Sequence, residues 1–317
     1  MTMSAPQPSE RNRILIIKHG AFGDLIQASG ALRNLRVGHP TEELVLLTTP
    51  AYRRLMTRCP FIDRVIVDAR PSIWAVRHHF HLARTLHNER FSRVYDLQKS
   101  TRTRLYRRWL LPDVDWYGDK SDKHGGSLRE TFAAQLKLAG LDTAHGMPPS
   151  VQWMADDMRT YLKEQGVYAP YVVLNIGSAK RHPHKRWPHY AQLTRLLLAH
   201  GLSVVTVPGP DEMELASQLP AKRLSRADGF LDWFELAGIL REAAFVIGND
   251  TGPTHLASAL DCTGIAIFGP HTHSAQTGIE TDHFRAVNVP DLAALSAADV
   301  LEHLSRLHML DQRPRSM

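Results

Sequence analysis

The clearest local pattern in the sequence is Phe245-Val246-Ile247-Gly248-Asn249-Asp250-Thr251-Gly252-Pro253-Thr254-His255-Leu256-Ala257. It is typical of a buried strand that runs through a turn into the start of a helix. Consecutive apolar residues predict the strand, and apolar residues then recur at helical spacing as far as Leu260. Pro253 suits the first helical turn, where an amide hydrogen is not needed. The unpaired amide groups at the start of such a helix predict a diphosphate site, and a capped helix with a packed histidine is the alternative.

The same alternation of apolar runs and helical patterns extends along the chain. In the N-terminal half, strands are predicted at residues 14–18, 44–49, 64–68, 92–97 and 114–117, with helices near 24–36, 51–58, 73–88 and 127–138. In the C-terminal half, strands are predicted at 171–177, 203–207, 244–247 and 264–268, with helices near 189–200, 211–218, 233–242 and 253–260. This order predicts an α/β protein with parallel sheets that carry helices on both faces.

The length of 317 residues exceeds that of a usual single-core domain, so two units are expected. A turn rich in Gly and Pro and a polar helix between residues 146 and 170 indicate a hinge. The predicted units are 1–150 and 151–317, each a Rossmann-like, doubly wound domain, and the C-terminal helix is expected to pack back on the first unit. Ligands are expected beyond the carboxyl ends of the strands.

Composition and charge narrow the class of protein. The chain has 43% hydrophobic and 22% charged residues, with no apolar run of the roughly 18 residues that span a bilayer. Its polar N-terminus lacks a signal-peptide core, which favours the cytoplasm. The formal charge of +6 favours anionic partners, but no RNA-binding or zinc-finger motif accompanies it, so nucleic acid is not expected. The two cysteines, Cys59 and Cys262, lack the spacing of a zinc site or a disulfide framework.

A second strand-end turn carries a carboxylate. The strand at 14–18 runs into His19-Gly20-Ala21-Phe22-Gly23-Asp24, which brings Asp24 to the start of a helix. The simplest interpretation is a carboxylate that stabilises the N-terminus of that helix. The turn lacks the complete G-x-G-x-x-G fingerprint, and no acidic residue ends the next strand, so a nicotinamide dehydrogenase is disfavoured.

Three further strand-end loops lie in the C-terminal half. The strand at 171–177 leads into a cationic loop that ends in Lys185-Arg186-Trp187-Pro188, and two more loops follow at 208–212 and 269–272. A solvated basic loop is the usual meaning of such a run, but its place after a strand also suits phosphate neutralisation. Together with the turn at 248–253, four strand-end loops of one unit can converge on one rim.

These motifs together resemble the ADP-heptose:lipopolysaccharide heptosyltransferases, glycosyltransferase family 9. The matching motifs are Gly-x-x-Gly-Asp at 20–24, Lys-Arg-Trp-Pro at 185–188, Gly-Pro-x-x-x-Glu at 209–214, Asp-Thr-Gly-Pro-x-His-Leu-Ala at 250–257 and Phe-Gly-Pro at 268–270. The resemblance implies a GT-B fold with an interdomain cleft. It also implies an inverting transferase that moves heptose from its ADP derivative to an acceptor sugar, with no metal and no other cofactor.

The resemblance extends to individual residues. Asp24 matches the catalytic base, and Lys185 matches the phosphate-binding lysine that assists catalysis. The expected donor-binding set is Gly177, Ser178, Lys185, Glu214, Asp250, Thr251, Gly252 and His255. Two positions depart from the family pattern, Gly30 in place of proline and His271 in place of threonine, and they bear on acceptor and sugar preference.

The chemistry of sugar transfer agrees with these roles. A carboxylate must remove a proton from the acceptor hydroxyl as it attacks, and Asp24 is the carboxylate that the N-terminal unit offers. The departing ADP needs positive charge, which Lys185 and the helix that starts near Gly252 can supply. Closure of the two units is expected to complete this geometry and to exclude water.

Most of the other charged and aromatic residues that could suggest a site fit ordinary structural roles. Asp113 and Asp115 look like a metal-binding acidic pair but fit a solvated edge better, and the histidines at 78, 79, 81 and 87 lack a metal-ligand pattern. Trp74, Phe80 and Leu82 are expected to pack in the core. The arginines at 102, 104, 107 and 108 suit either the phosphates of a lipid acceptor or a solvated helix face. Acceptor contacts are assigned to Gly23, Arg102 and Arg104.

The predicted activity is heptose transfer from ADP-L-glycero-D-manno-heptose to a phosphorylated lipid A-core acceptor of the lipopolysaccharide inner core. The enzyme is expected in the cytoplasm, with peripheral contact to the inner membrane through its basic surface. One alternative keeps the fold but uses another nucleotide sugar or a protein acceptor. Another is a non-catalytic nucleotide-binding module, which would not require both Lys185 and the carboxylate of Asp24 in the other unit.

Overall fold

A computed structural model describes residues 12–72, 74–118, 127–143 and 147–306. The chain forms two compact units. The first comprises Met1–Gly125 and Arg129–Met147, and the second comprises Gly126–Leu128 and Pro148–Met317. The main division therefore falls between Met147 and Pro148, next to the turn in which the sequence indicates a hinge.

The N-terminal unit is a five-stranded parallel sheet with the strand order β3-β2-β1-β4-β5. Its elements are β1 (Arg13–Ile17), α1 (Phe22–Gly38), β2 (Glu43–Thr48), α2 (Arg53–Thr57), β3 (Arg64–Val67), α3 (Val76–Asn88), β4 (Phe91–Asp96), α4 (Thr101–Trp109), β5 (Asp115–Tyr117) and α5 (Leu128–Leu138). The chain adds strands on one side of β1 and then crosses to add β4 and β5 on the other side. This reversal marks the position at which open α/β sheets bind ligands, beyond the carboxyl ends of the central strands.

One face of this sheet is covered by α3 and α4. Their inward side chains, Leu82, Leu86 and Tyr106, share one core cluster with alternate residues of the strands, among them Leu15 and Val45. The central strands are buried on both faces, which explains their nearly continuous apolar sequence. The outer surfaces of α3 and α4 therefore lie on the same side of the unit.

The C-terminal unit contains a six-stranded parallel sheet with the order β11-β10-β9-β6-β7-β8. Its elements are α6 (Arg159–Glu164), β6 (Tyr171–Asn175), α7 (Tyr190–Ala199), β7 (Ser203–Thr206), α8 (Met213–Ser217), β8 (Lys222–Arg223), α9 (Trp233–Glu242), β9 (Phe245–Asn249), α10 (Gly252–Ala259), β10 (Gly264–Phe268), β11 (Phe284–Asn288) and α11 (Ala297–Arg306). Its strand order reverses between β6 and β9, so these two strands end side by side at the expected ligand position.

Three elements are absent from the sequence prediction, namely α4, β8 and β11. Helix α4 carries four arginines and buries only Thr103 and Tyr106, so its apolar pattern is weak. Its start is fixed instead by a capping box, in which Ser100 and Thr103 each bond the backbone amide of the other. Strand β8 has two exposed residues, and β11 is a partly exposed edge strand. Edge elements bury less surface and leave a fainter pattern in the sequence.

The last described helix, α11, packs against α7 in the C-terminal unit. Val300 and Leu304 of this helix belong to the main core cluster of that unit. The expectation that the C-terminal helix packs back on the first unit stays a prediction. Among the described residues, no helix has both the length and the apolar character that crossing a membrane requires.

The close approach of α9 to the segment before α6 gives a test of the packing. A Cβ atom added at Gly238 would lie 2.1 Å from the carbonyl oxygen of Asp156 and 2.7 Å from Cγ of Met158. Overpacking against backbone costs about 1–3 kcal/mol. The higher helix propensity of alanine than of glycine offsets about 1 kcal/mol of this cost. We therefore expect Gly238→Ala to lower the free energy of unfolding by about 1 kcal/mol in urea denaturation. Gly229→Ala, where no atom lies within 4 Å, is the control, and equal effects of both variants would contradict this packing.

Candidate functional site

The buried side-chain amide of Asn249 joins the ends of β9, β6 and α7. Its Nδ2 donates to the carbonyl oxygens of Ile176 at 2.9 Å and Gly177 at 3.1 Å. Its Oδ1 accepts from the backbone N–H of Trp187 at 3.0 Å and from the hydroxyl of Tyr190 at 3.1 Å. Asn249 is 0% exposed. One amide group therefore fixes both ends of the cationic loop between β6 and α7 against the rim of the sheet.

The next residue, Asp250, holds two cationic or ionisable side chains. Its Oδ2 accepts from Nζ of Lys185 at 2.5 Å, and its Oδ1 pairs with Nε2 of His255 at 3.0 Å. Burial alone would raise the pKa of Asp250, but the hydrogen bonds from His255 and Lys185 hold it below its usual value. Asp250 is thus an ionised carboxylate that positions Lys185 and His255 at the start of α10.

The start of α10 has the backbone geometry that the sequence predicts. Thr251 is the extended N-cap residue, with φ −142° and ψ 166°, and its side chain makes no capping hydrogen bond. Gly252 is the first helical residue and is followed by Pro253, which has no amide hydrogen. Gly252 is half-buried. Its amide group and the positive end of the helix dipole suit an anion.

Two of the expected donor-binding residues, Gly177 and Ser178, lie at the end of β6 and are buried. The Ser178 hydroxyl donates to the carbonyl oxygen of His182 at 2.8 Å and accepts from Nε of Arg186 at 3.0 Å. These bonds stabilise the cationic loop from within. Gly177 has a different role, because a Cβ atom there would lie 1.6 Å from Oε1 of Glu212.

The carboxylate at this position belongs to Glu212 and not to Glu214. Oε2 of Glu212 accepts from the backbone N–H of Gly209 at 3.0 Å, and burial raises the pKa of Glu212. The side chain of Glu214 is exposed on α8 and is not brought to Gly177. The two glutamates are two residues apart, so the Gly-Pro spacing alone does not select between them. The signal that identifies Glu212 is its contact with a glycine, which is visible only in three dimensions.

Two histidines extend the pocket around Lys185 and Asp250. The rings of His184 and His271 meet edge to face with centroids 4.4 Å apart. The small pocket there is lined by His184, Lys185, Asp250, Ile267, Gly269, His271 and Thr272. Desolvation, followed by the charges of His271, His182 and Lys185, lowers the pKa of His184. The loops after β6, β9 and β10 therefore concentrate basic side chains at one rim.

In the N-terminal unit, Asp24 lies in the first turn of α1 beside the half-buried Gly23. Its side chain is 51% exposed, and its Oδ2 lies 3.6 Å from Nζ of Lys18, which is 3% exposed. Burial lowers the pKa of Lys18, while Asp24 and Asp96 oppose that change. The sequence interpretation missed Lys18, although a lysine that ends an apolar strand is a recognisable signal.

A second group of polar side chains follows β3 and β1. The buried Asp68 accepts from the Tyr106 hydroxyl and from the backbone N–H of Arg70 at 2.8 Å, and it pairs with Nε2 of His78 at 3.0 Å. Burial alone would raise the pKa of Asp68, but these hydrogen bonds lower it. The neighbouring His19 is buried, and burial lowers its pKa to about 4. Asp68 thereby connects β3 to α3 and α4.

The residues expected to contact the acceptor differ in their surroundings. Nη2 of Arg102 donates to the carbonyl oxygen of Pro71 at 2.6 Å, so this arginine anchors the loop between β3 and α3. Arg104 is exposed. Asp113 and Asp115 are exposed beside and within the edge strand β5, as a solvated edge requires. In the described part of the chain, no group of three or more His, Cys, Asp or Glu side chains is arranged to hold a metal ion.

The two parallel α/β units are those of the GT-B glycosyltransferase fold. The structure of E. coli ADP-heptose lipopolysaccharide heptosyltransferase II matches with a TM-score of 0.73 and 20% identity, over 95% of this chain and 100% of that one. E. coli heptosyltransferase WaaC with ADP-2-deoxy-2-fluoro heptose matches with a TM-score of 0.69 and 19% identity, over 93% and 99% of the two chains.

The sequence defines the family within this fold. Residues 127–299 match the model of glycosyltransferase family 9 (heptosyltransferase), and the chain belongs to this family. It is also 23% identical to lipopolysaccharide heptosyltransferase 2 of Escherichia coli K12 over 292 residues, which is 81% of this chain and 83% of that protein. The chain is therefore a glycosyltransferase, and the fold and family predicted from the sequence are confirmed.

The hydrogen bonds of Asn249 give a direct test of the rim. Asn249→Ala leaves buried carbonyl and donor groups without partners, at about 1–3 kcal/mol for each such group. We expect a lower free energy of unfolding and faster trypsin cleavage at the exposed Lys180 and Arg181. Asn88→Ala, at an exposed position of α3, should change neither. Unaltered cleavage of the loop in the Asn249 variant would show that this amide does not hold it.

Proposed function

We propose that this chain transfers heptose, with inversion, from ADP-L-glycero-D-manno-heptose to a lipopolysaccharide inner-core acceptor. The observation that carries the proposal is the placement of Lys185 and His255 on one ionised carboxylate, Asp250, at the start of α10. A sugar diphosphate needs a cation and hydrogen-bond donors at such a place because negative charge develops on it as the sugar departs. The names of the related heptosyltransferase and of the donor-analogue complex support heptose and ADP as the groups involved.

In this proposal the C-terminal unit binds the donor. The diphosphate accepts from the backbone amide of Gly252 and lies near Nζ of Lys185, with Thr251 at the N-cap. Asp250 keeps the ammonium group in place, so little reorganisation is needed when the leaving ADP becomes charged. Glu212 takes the role expected of Glu214, because its half-buried carboxyl group lies against Gly177 and suits the hydroxyl groups of a sugar.

The N-terminal unit supplies the base. Asp24 removes a proton from the acceptor hydroxyl as that oxygen attacks the anomeric carbon. Nζ of the buried Lys18 lies 3.6 Å from the Asp24 carboxylate, at the place where the acceptor hydroxyl must bind. The acceptor is the phosphorylated lipid A core, with Gly23, Arg102 and Arg104 as the proposed contacts. Such an acceptor places the enzyme on the cytoplasmic side of the inner membrane, in peripheral contact with it.

The proposal is tested by ADP release from ADP-heptose with and without a delipidated inner-core acceptor. We expect release only when the acceptor is present, and no loss of activity in EDTA. Competition by ADP, UDP and GDP identifies the donor nucleotide, and ADP should compete best. Stronger competition by UDP or GDP, or transfer to a protein acceptor alone, would replace the proposed substrates within the same fold.

The role of Asp24 is tested by Asp24→Asn, which keeps the shape of the side chain and removes its basicity. Loss of a general base typically lowers turnover by about 10²–10⁴-fold, whereas ADP affinity should stay within about twofold of wild type, because the proposed donor site lies in the other unit. Asp113→Asn, an exposed aspartate of the same unit, is the matched control. Near-normal turnover in Asp24→Asn would exclude this residue as the base.

The pair His184 and His271 predicts a pH dependence of ADP binding. Desolvation and neighbouring positive charge lower the pKa of His184 in the free protein, and a bound diphosphate reverses the electrostatic part of that effect. The complex should therefore bind more protons than the free protein, so ADP affinity should rise as the pH falls from about 8 to about 6.

The measurement is ADP titration calorimetry across this pH range. The double variant His184→Gln, His271→Thr should lose most of the pH dependence while still binding ADP at pH 8. His87→Gln, an exposed histidine of α3, controls for the substitution itself. An unchanged slope in the double variant would assign the pH dependence to ADP or to other groups.

A further inference from the structure

Three large aromatic side chains of the N-terminal unit are exposed instead of packed. Trp74 is 83% exposed, Phe80 is 69% exposed and Trp109 is 70% exposed. The expectation that Trp74 and Phe80 pack in the core is therefore wrong, because the inward positions of α3 are taken by Leu82 and Leu86. Exposed apolar side chains point to an interaction site only where they form one contiguous patch.

These residues lie on one face of the unit. Helices α3 and α4 cover the same side of the sheet, and their outward positions follow helical spacing. Val76, Phe80 and Arg84 are spaced by four residues along α3, and Leu105 and Trp109 are spaced in the same way along α4. The hydrogen bond from Arg102 to the carbonyl oxygen of Pro71 anchors the loop that carries Trp74 to the start of α4.

The charge of this face has a single sign. Helix α3 contains two arginines and four histidines, α4 contains four arginines, and neither helix contains an aspartate or glutamate. The guanidinium carbon of Arg108 lies 5.6 Å from the ring centroid of Trp109. We call this surface the α3–α4 face and define it by Trp74, Val76, Phe80, Leu105 and Trp109 together with Arg77, Arg84, Arg104 and Arg108.

We propose that the α3–α4 face binds the surface of an anionic phospholipid bilayer. Tryptophan and phenylalanine suit the level of the lipid headgroups, where one part of the ring is apolar and the surroundings are polar. Arginines beside them are attracted to lipid phosphates and to the negative potential of an anionic leaflet. The helices lie on the membrane and do not cross it, since their inner sides are committed to the core of the unit.

The charge pattern argues against other occupants. A symmetric contact with a second copy would bring the arginines of one face against those of another, which costs free energy. A discrete phosphate site would need buried polar groups, whereas Arg104 and Arg108 are exposed. A broad anionic surface with an apolar layer beneath it matches both the arginines and the aromatic side chains.

The face begins at the edge of the sheet that carries the proposed base. Helix α3 starts after β3, and Asp24 follows β1, so Trp74 and Asp24 belong to the same carboxyl edge of this parallel sheet. Binding a bilayer here would bring that edge to a substrate whose lipid is embedded in the membrane. In this respect the inference rests on the proposed function, although the face itself does not depend on the donor site.

The experiment is vesicle co-sedimentation of the full chain without acceptor or donor. We expect the protein to bind vesicles of phosphatidylcholine with about 30% phosphatidylglycerol, to bind phosphatidylcholine alone at least about tenfold less tightly, and to dissociate in about 0.5 M salt. Inorganic phosphate at millimolar concentration should not compete. Equal binding to both vesicle types, or displacement by phosphate, would overturn the proposal.

Two sets of variants separate the apolar and charged contributions. Trp74→Ala, Phe80→Ala and Trp109→Ala together should lower vesicle binding by about tenfold or more, and Arg104→Gln with Arg108→Gln should lower it by about fivefold for each charge removed. Val37→Ala, Leu138→Ala and Tyr168→Ala together remove exposed apolar groups elsewhere and should leave binding unchanged. Wild-type binding in the aromatic variant would refute the assignment of this face.

Activity and mass measurements distinguish the remaining outcomes. The aromatic variant should bind ADP normally, which also shows that it is folded. Vesicle binding by a protein that does not transfer heptose would overturn the proposed function and leave this inference standing. Heptose transfer by a protein that does not bind vesicles would overturn this inference and leave the proposed function standing. A fall in the oligomeric mass of the aromatic variant, measured by sedimentation velocity, would identify the face as a subunit interface and overturn the proposal.

Discussion

The fixed position of Asn249 at the end of β9 is the constraint on which the C-terminal rim depends. Its amide group bonds the end of β6 and the start of α7 at the same time. Because the end of β6 and the start of α7 are buried, water cannot replace these hydrogen bonds at a low cost in free energy. The cationic loop is therefore held at both ends, and the ion pair with Asp250 holds Lys185 between them.

Asp250 adds an electrostatic constraint to the hydrogen bonds that Asn249 makes. A buried carboxylate costs free energy unless cations or hydrogen-bond donors compensate it, and Lys185 and His255 supply that compensation. The ion pair with Asp250 also keeps the ammonium group of Lys185 near the start of α10 before any ligand binds. A group that is already in place needs little reorganisation when negative charge develops, which is how polar sites in glycosyltransferases can assist departure of a nucleotide.

In the N-terminal unit, the two sides of α3 and α4 have different roles. One side of α3 and α4 is apolar and completes the core, while the other exposes aromatic and arginine side chains together. Asp68 connects these helices to β3 through Tyr106 and His78, at the carboxyl edge of the sheet. The edge that carries Asp24 and the surface that carries Trp74 therefore belong to the same unit.

The two parallel α/β units, the strand ends that carry polar residues and the family can all be predicted from the sequence. Periodicity, capping residues and strand–loop–helix order are local properties, so they can be read without knowing the neighbours. The three-dimensional structure is needed to show that Glu212 and not Glu214 contacts Gly177, that Lys18 lies beside Asp24, and that Trp74 and Phe80 are exposed. It also supplied α4 and β11, whose apolar pattern is weak. Burial and pairing depend on which surfaces meet, and residues distant in the chain decide that.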